Sequence, residues 1–326
     1  MTLDVLCLRP EADFQRAGAL PPAALKILYR SPEDSDVPSL MKQARALVLP
    51  AVGPKLSPAL FEGSSVKFVQ VTGAGLDRLD LAALKRLGMT VANVPGGSNA
   101  AVAEYAVTAA SVLLRQFAWA DSEIRAGRYR EFRVRMIAAN LSGLEGLVVG
   151  VIGLGVIGLA VASAFHRRGC HIVYYDPAPR DVQTAAILEA KSFPLNELLQ
   201  VSDVVTLHVP LLPATQHLLA AGQLAAMKPG AILIQASRGG VVDEAALAHS
   251  LKSGHLGGAA IDVYSNEPPA SDHPLLQLSG EAARRILFTP HMAGVTRQST
   301  ALLLRASWLN IERVLIENLP PSDLVA

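Results

Sequence analysis

The first residues in this chain that can do recognisable chemistry form a glycine turn. Leu147-Val148-Val149-Gly150-Val151-Ile152-Gly153-Leu154-Gly155-Val156-Ile157-Gly158 passes from a β-branched apolar run into G-x-G-x-x-G. A small-residue helix is expected from Val156 to about Arg168, and a second apolar run, His171 to Tyr175, ends on Asp176. A strand, a glycine turn, a helix and a second strand ending in an acid about 20 residues on is the arrangement that binds a dinucleotide. Gly153 permits the tight turn because it has no Cβ to clash. Gly155 lets the backbone approach a pyrophosphate, and Gly158 lets the helix lie close on the strand. The opening N–H groups of the helix, at Val156 and Ile157, offer unpaired donors and a positive dipole end to the anion. Asp176 can accept hydrogen bonds from the adenosine ribose hydroxyls. Leu147 to Phe165 carries no charge, a length that also suits a membrane span. Its four glycines and its change of period argue against one.

Three later segments carry reactive side chains. They are Leu233-Ile234-Gln235-Ala236-Ser237-Arg238-Gly239-Gly240-Val241-Val242-Asp243-Glu244, then Ala260-Ile261-Asp262-Val263-Tyr264-Ser265-Asn266-Glu267-Pro268, then Phe288-Thr289-Pro290-His291-Met292-Ala293-Gly294. Each runs from an apolar strand into a loop, which is where an α/β sheet displays functional groups.

The elements that must position these residues alternate along the chain. Leu3–Leu8, Leu25–Tyr29, Ala46–Leu49, Lys67–Val71 and Thr90–Asn93 read as strands with helical segments between them, and Asp203–His208, Ala231–Gln235, Gly258–Asp262 and Ile286–Thr289 extend the pattern. Strand–helix alternation implies mainly parallel sheets with helices on both faces. After the breaker cluster Asn93-Val94-Pro95-Gly96-Gly97, Ser98 or Asn99 can cap a long helix running to about Ala126. Gly127 to Gly146 is rich in arginine and is expected to be an irregular exposed arm, suited to an oligomer contact. Val295 to Asn318 reads as a last amphipathic helix. The cofactor unit starts near residue 100, so an α/β domain precedes it. The terminal helix can return to that first domain, which would leave a cleft between the two, a usual ligand site.

With these motifs in order, the chain resembles the D-isomer-specific 2-hydroxyacid dehydrogenases over essentially its whole length, most strongly from Leu144 to Gly294. The likeness rests on the glycine turn with its acid, His208-Val209-Pro210-Leu211 with Thr215, the S-R-G-G-V-V-D-E segment, and D-x-x-x-x-E-P followed by P-H-x-x-G. It implies two doubly wound parallel-sheet domains. A Rossmann-type dinucleotide-binding domain, residues 99–291, would be inserted in a flavodoxin-like substrate domain built from residues 1–98 and 292–326. It also implies NAD as cofactor, a homodimer, and an active site of Arg238, Glu267 and His291.

Those residue types suit reduction of a small 2-oxo acid. Arg238 offers a planar fork of donors to a carboxylate and its adjacent carbonyl. His291 can deliver or remove a proton near neutrality, and Glu267 would orient the imidazole and favour its charged form. Asp262 is either a structural cap or, as the family would have it, a neighbour of the nicotinamide amide. His208 reads as a packed core histidine. On the substrate side, Val71-Thr72-Gly73-Ala74-Gly75-Leu76-Asp77 resembles the family's glycine-rich loop, with the N–H groups of Ala74 and Gly75 able to hold a carboxylate. Asn99 is a further substrate-binding candidate.

The chain departs from the family pattern in places. Gln235 stands where the family often has Asn. Pro50-Ala51, with Lys55 nearby, replaces the Arg–Ser pair of the phosphoglycerate branch, which favours an unphosphorylated substrate such as glyoxylate or hydroxypyruvate. Glu267 speaks against a formate dehydrogenase. Relatives of the phosphite or 3-phosphoglycerate dehydrogenases, and an NAD(H)-sensing corepressor-like protein, are the alternatives.

Composition fits these readings. The chain has 326 residues, 51% apolar and 17% charged, enough for two domains with real cores. With 29 basic and 28 acidic residues the formal net charge is +1, which removes the electrostatic motive for nucleic-acid binding. Cys7 and Cys170 are the only cysteines and suit a reducing compartment. Residues 1–10 lack a signal-peptide layout, no membrane span is expected, and no metal-ligand spacing occurs, so a cytoplasmic, metal-free enzyme is expected.

Asp176 generates a prediction about the cofactor. A carboxylate at the ribose repels a 2′-phosphate, although Arg180 lies close in sequence and would soften the effect. Activity with NADH should exceed that with NADPH by about tenfold or more in kcat/KM, equivalent to about 1.4 kcal/mol. Steady-state kinetics with both cofactors checks it, and a preference for NADPH would remove Asp176 from this role.

Overall fold

A computed structural model describes residues 3–178 and 182–325. They form two compact units, residues 1–98 with 295–326 and residues 99–294.

In the first unit, strands β1 (Leu3–Cys7), β2 (Ile27–Tyr29), β3 (Ala44–Leu49), β4 (Phe68–Val71) and β5 (Thr90–Ala92) form one parallel sheet in the order β2-β1-β3-β4-β5. This is the flavodoxin-like order. Both faces are covered, so these strands are apolar on both sides. Val5, Cys7, Ala46, Val48 and Phe68 pack with Leu304, Trp308 and Ile311 of the C-terminal helix Arg297–Leu315. Their neighbours Leu6, Leu47, Leu49, Val69 and Val71 pack on the other side with Met41 and Leu84. The C-terminal helix opens with a capping box between Thr296 and Ser299.

The second unit holds β6 (Val148–Ile152), β7 (His171–Tyr175), β8 (Lys191–Ser192), β9 (Val204–Leu207), β10 (Ile232–Gln235), β11 (Gly258–Ile261) and β12 (Ile286–Phe288). All pair in parallel, in the order β12-β11-β10-β9-β6-β7-β8. This is the Rossmann order with one added edge strand, and its order reverses between β6 and β9. The charge-free stretch Leu147 to Phe165 is therefore β6 followed by helix Val156–His166. No helix among the described residues is long and apolar enough to cross a membrane.

Two expectations about the 99–146 stretch need correction. The helix expected to run to about Ala126 stops at Leu114, because Gln116 takes a left-handed conformation (φ 51°), and a new helix, Phe117–Arg125, begins there. The arm expected to be irregular contains helix Tyr129–Ala138. Its arginines have local work. Arg135 and Arg284 stack over the Trp119 ring at 4.2 and 4.6 Å, and Arg128 and Arg284 pair with Glu123. Edge strand β8 was not anticipated; two residues carry too short a pattern to read.

His208, read in the sequence as a packed core histidine, follows β9 and is half-buried, with its Nδ1 enclosed. Its Nε2 lies 2.8 Å from Thr206 Oγ1, its Nδ1 is buried without a hydrogen-bond partner, and burial pushes the imidazole down to about 3. The unfolded chain takes up this proton near pH 6.5 while the fold refuses it, so its contribution to stability is intact above about 6.5 and erodes as pH falls towards 3. Thermal unfolding should therefore show Tm falling between pH 7 and pH 5, with a shallower fall in His208→Gln. Identical slopes in the two proteins would assign the acid sensitivity elsewhere.

Candidate active site

The glycine turn joins β6 to helix Val156–His166. Gly153 has φ +89°, and a Cβ there would lie 2.6 Å from the His208 carbonyl oxygen. At Gly158 an added Cβ would sit 1.9 Å from the Gly153 oxygen, so the helix start and the turn touch backbone to backbone. A Cβ at Gly155 would meet nothing within 4 Å. The turn is thus closed behind and open in front. Gly155 caps the helix without a side-chain hydrogen bond, and the N–H groups of Val156 and Ile157 have no partner among the described residues. Asp176, at the end of β7, reaches back to this turn. Its Oδ2 accepts the Leu154 N–H at 2.8 Å and its Oδ1 accepts the Ala178 N–H at 2.9 Å. An open cradle, free donors at a helix N-terminus and a nearby carboxylate fit a dinucleotide pyrophosphate and ribose. Arg180 lies outside the described residues.

The three other segments leave neighbouring strands. β10 leads to Arg238, β11 to Asp262 and Glu267, and β12 to His291. Because the strands are parallel and adjacent, their loops emerge at one edge of the sheet. Gln235 shapes the first loop. Its Nε2 donates to the Arg238 carbonyl at 2.8 Å, and its Oε1 accepts the Ser237 hydroxyl at 2.8 Å. The residue that departs from the family's Asn is 2% exposed and closes the turn that presents Arg238. Arg238 Nη1 donates to the Ser237 carbonyl at 2.7 Å.

That loop bears directly on the next one. A Cβ at Gly239 would lie 1.9 Å from the Tyr264 oxygen, so only glycine fits. Glu244 Oε1 accepts the Ser265 N–H at 2.8 Å, and its Oε2 lies 3.0 Å from His273 Nε2. The Tyr264 N–H in turn donates to Glu267 Oε1 at 3.1 Å. The other Glu267 oxygen, Oε2, lies 2.8 Å from His291 Nδ1. The two side chains are 30% and 26% exposed, so the pair can reach both a ligand and water.

His291 itself is held in an uncommon backbone state, φ +52°. Asp262 accounts for it. This residue is 1% exposed. Its carboxylate accepts the Thr289 hydroxyl at 2.6 Å and the Met292 and Ala293 N–H groups at 2.8 and 2.9 Å, while its carbonyl accepts the His291 N–H at 2.7 Å. The carboxylate is thus engaged within the protein in the manner of a cap. Thr289 is held further by the Tyr105 hydroxyl, 2.8 Å away.

In the first unit, the Gly73–Asp77 turn follows β4. Asn93 Nδ2 donates to the Ala74 carbonyl at 2.8 Å, and the Val94 N–H to that of Gly73 at 3.0 Å. The Ala74 and Gly75 N–H groups make no hydrogen bond among the described residues. Asn99 opens the long helix of the second unit, and its Oδ1 is buried without a partner among the described residues.

The model of the D-isomer specific 2-hydroxyacid dehydrogenase NAD-binding domain matches residues 107–293, more than half of the chain. The chain belongs to this family. It therefore carries a dinucleotide-binding domain of the NAD-dependent kind. It is 36% identical to the D-3-phosphoglycerate dehydrogenase of Archaeoglobus fulgidus over 235 residues, 72% of this chain and 42% of that protein. The chain thus spans less than half the length of that relative. It is also 36% identical to the (S)-sulfolactate dehydrogenase of Chromohalobacter salexigens over 245 residues, 74% of each. Among solved structures, holo D-mandelate dehydrogenase of Rhodotorula graminis superposes with a TM-score of 0.85 at 26% identity, covering 100% of this chain and 98% of that one. D-2-hydroxyisocaproate dehydrogenase does so at 0.81 and 25%, covering 100% and 99%.

Sequence reasoning missed the supporting residues. Gln235 was noted only as a departure, although its place three residues before Arg238 was a signal. Tyr105, Tyr264 and Thr289 gave none, since their bonds connect distant segments.

The His291–Glu267 contact predicts unequal losses on substitution. In an assay of 2-oxo acid reduction, His291→Asn should lose about 100-fold or more in kcat. Glu267→Gln keeps an oxygen that can accept from Nδ1 and should lose less. Cofactor titration confirms that each variant is folded, and full activity in His291→Asn would remove that ring from the reaction.

Proposed function

We propose that the protein reduces small, unphosphorylated 2-oxo acids to D-2-hydroxy acids with NADH, of the glyoxylate or hydroxypyruvate type, and runs the reverse reaction with NAD. The observation that carries this reading is the His291–Glu267 pair at 2.8 Å, set on loops that leave adjacent strands beside the Arg238 loop. Bound nicotinamide supplies the hydride. Arg238 holds the substrate carboxylate and polarises the carbonyl through its fork of donors. His291, protonated, gives its proton to the carbonyl oxygen as the hydride arrives at carbon, and in oxidation takes that proton back. Glu267 orients the imidazole through its contact with Nδ1. Gly153, Gly155, Gly158, Val156 and Ile157 seat the pyrophosphate, Asp176 the ribose, and Asp262 holds the turn that carries His291. Ala74 and Gly75 bind the substrate carboxylate within a substrate domain of residues 1–98 and 292–326, and Asn99 is a further substrate-binding residue.

Two further parts of the reading rest on exposed and buried side chains. Phe117, Ile124, Tyr129, Val134 and Ile137 are large apolar residues exposed on helices Phe117–Arg125 and Tyr129–Ala138, which supports a homodimer formed through the arm and the helix before it. Cys7 and Cys170 are free thiols, which supports a cytoplasmic location.

A second reading has support in the relatives' names. One acts on D-3-phosphoglycerate and another on (S)-sulfolactate, both of which carry a second anionic group. Pro50 and Ala51 speak against such a group, because neither offers a charge or side-chain donor. A substrate panel decides between the readings. NADH oxidation is followed with glyoxylate, hydroxypyruvate and longer 2-oxo acids, and NAD reduction with D-3-phosphoglycerate, (S)-sulfolactate and phosphite. Unphosphorylated 2-oxo acids should give the highest kcat/KM by about tenfold or more. A clear preference for the phosphorylated or sulfonated compound would replace the first reading with the second. No turnover of any, with NADH still bound, would favour the corepressor-like alternative.

A further inference from the structure

Arg78 is the most buried arginine side chain in the first unit, at 3% exposure, and its partners are all neutral. Nε donates to the Pro54 carbonyl at 2.9 Å, and Nη1 to those of Pro50 and Val52 at 3.0 and 3.4 Å. The Arg78 carbonyl accepts the Leu56 N–H at 2.9 Å. No carboxylate pairs with the guanidinium among the described residues. Glu33 acts on it only through space, being exposed and hydrogen-bonded to Ser31.

Two features make this more than ordinary loop support. The segment that Arg78 grips has no regular structure and lies on the surface, with Val52 49% exposed, so little else orders it. It also touches the Gly73–Asp77 turn, since a Cβ at Gly73 would lie 2.8 Å from the Ala51 Cβ. That turn carries the two N–H donors without partners, at Ala74 and Gly75. A buried charge without a counter-ion is costly, and here it grips the segment that touches a turn whose free groups are donors. An anion bound at that turn would offset the cost. A neutral side chain could hold three carbonyls in part, but it would bring no charge.

We propose that Arg78 is a positioning residue for the substrate anion: it locks residues 50–56 against the Gly73–Gly75 turn and supplies the positive charge that makes this turn an anion seat. This rests on the reading of Ala74 and Gly75 as the substrate carboxylate site. The group recognised is a small mono- or dicarboxylate, bound by backbone N–H groups in the field of a guanidinium that does not itself touch it.

The test uses the full chain and the variants Arg78→Met and Arg78→Lys. Amide hydrogen exchange of residues 50–56 reports the lock, and titration of oxalate into the NADH-loaded protein reports the seat. Kinetics with the best 2-oxo acid of the panel completes the set. In Arg78→Met, exchange of 50–56 should quicken, the oxalate Kd and the substrate KM should rise about tenfold or more, and kcat should fall less than about threefold. Arg78→Lys keeps the charge without the fork, so it should recover most of the anion affinity while exchange stays fast. NADH affinity should be unchanged in both. Unchanged KM and oxalate Kd in Arg78→Met would overturn the proposal, as would equal losses in Met and Lys variants, which a purely structural arginine would give. Should Arg78→Met fail to fold, Arg78→Lys still decides: anion affinity as weak as about tenfold below the parent would refute the role of charge. If the parent turns over no 2-oxo acid yet binds oxalate in an Arg78-dependent way, the proposed reaction falls and the anion seat stands.

Discussion

The Asp262 carboxylate accepts three hydrogen bonds where water does not reach, and through them it fixes the loop that carries His291. An ionised carboxylate loses several kcal/mol of solvation on burial unless donors replace the water. Here three donors take the places that water would fill. Two of the donors are backbone N–H groups of Met292 and Ala293, on the residues after His291. The carboxylate therefore stabilises a backbone path, including the left-handed step at His291, that the local sequence would not choose. Thr289 and Tyr105 extend the same network to the long helix Asn99–Leu114. His291 is thus set by interior hydrogen bonding as much as by its contact with Glu267.

The parallel sheet does the rest of the placing. Gln235 pairs with Ile261 and Ile261 with Phe288, so β10, β11 and β12 end level with each other. Residues a few positions beyond those ends come to one edge of the unit without a long loop having to reach for them. Short loops lose little conformational entropy on ordering and hold side chains more firmly. The same sheet reverses its order between β6 and β9, where the glycine turn lies against the His208 backbone.

Much of this was legible in the sequence because it is local. The glycine turn with Asp176, the β-strand runs and the three reactive segments each sit within a window in which residue type and spacing carry the signal. The parallel sheets follow from strand–helix alternation, and their doubly wound class from the resemblance to the family. What escaped was either conformational or non-local. The helix that breaks at Gln116 gave no warning, since glutamine is a good helix former and only its left-handed backbone ends the run. The arm helix Tyr129–Ala138 was hidden by its arginines, whose partners Trp119, Glu123 and Glu281 lie on other elements. Asp262 could be read two ways because its donors arrive from residues some thirty positions later. Arg78 drew no notice in a sequence that offers no sign of which carbonyls will surround it.

The contact at Gly239 has a consequence for how such a protein can change. Its Cα faces the Tyr264 carbonyl so closely that a single methyl group would displace the backbone, and Glu244 ties the same two loops a second time. The loop of Arg238 and the loop of Glu267 are therefore one mechanical part, made of two stretches of chain. Neither can be lengthened, redirected or exchanged without the other. Variation has freer ground elsewhere, in surface segments such as residues 50–56, whose side chains are largely exposed and whose backbone is held at a few points. Where the chain is interlocked its form is fixed, and freedom is left to the part that is merely pinned.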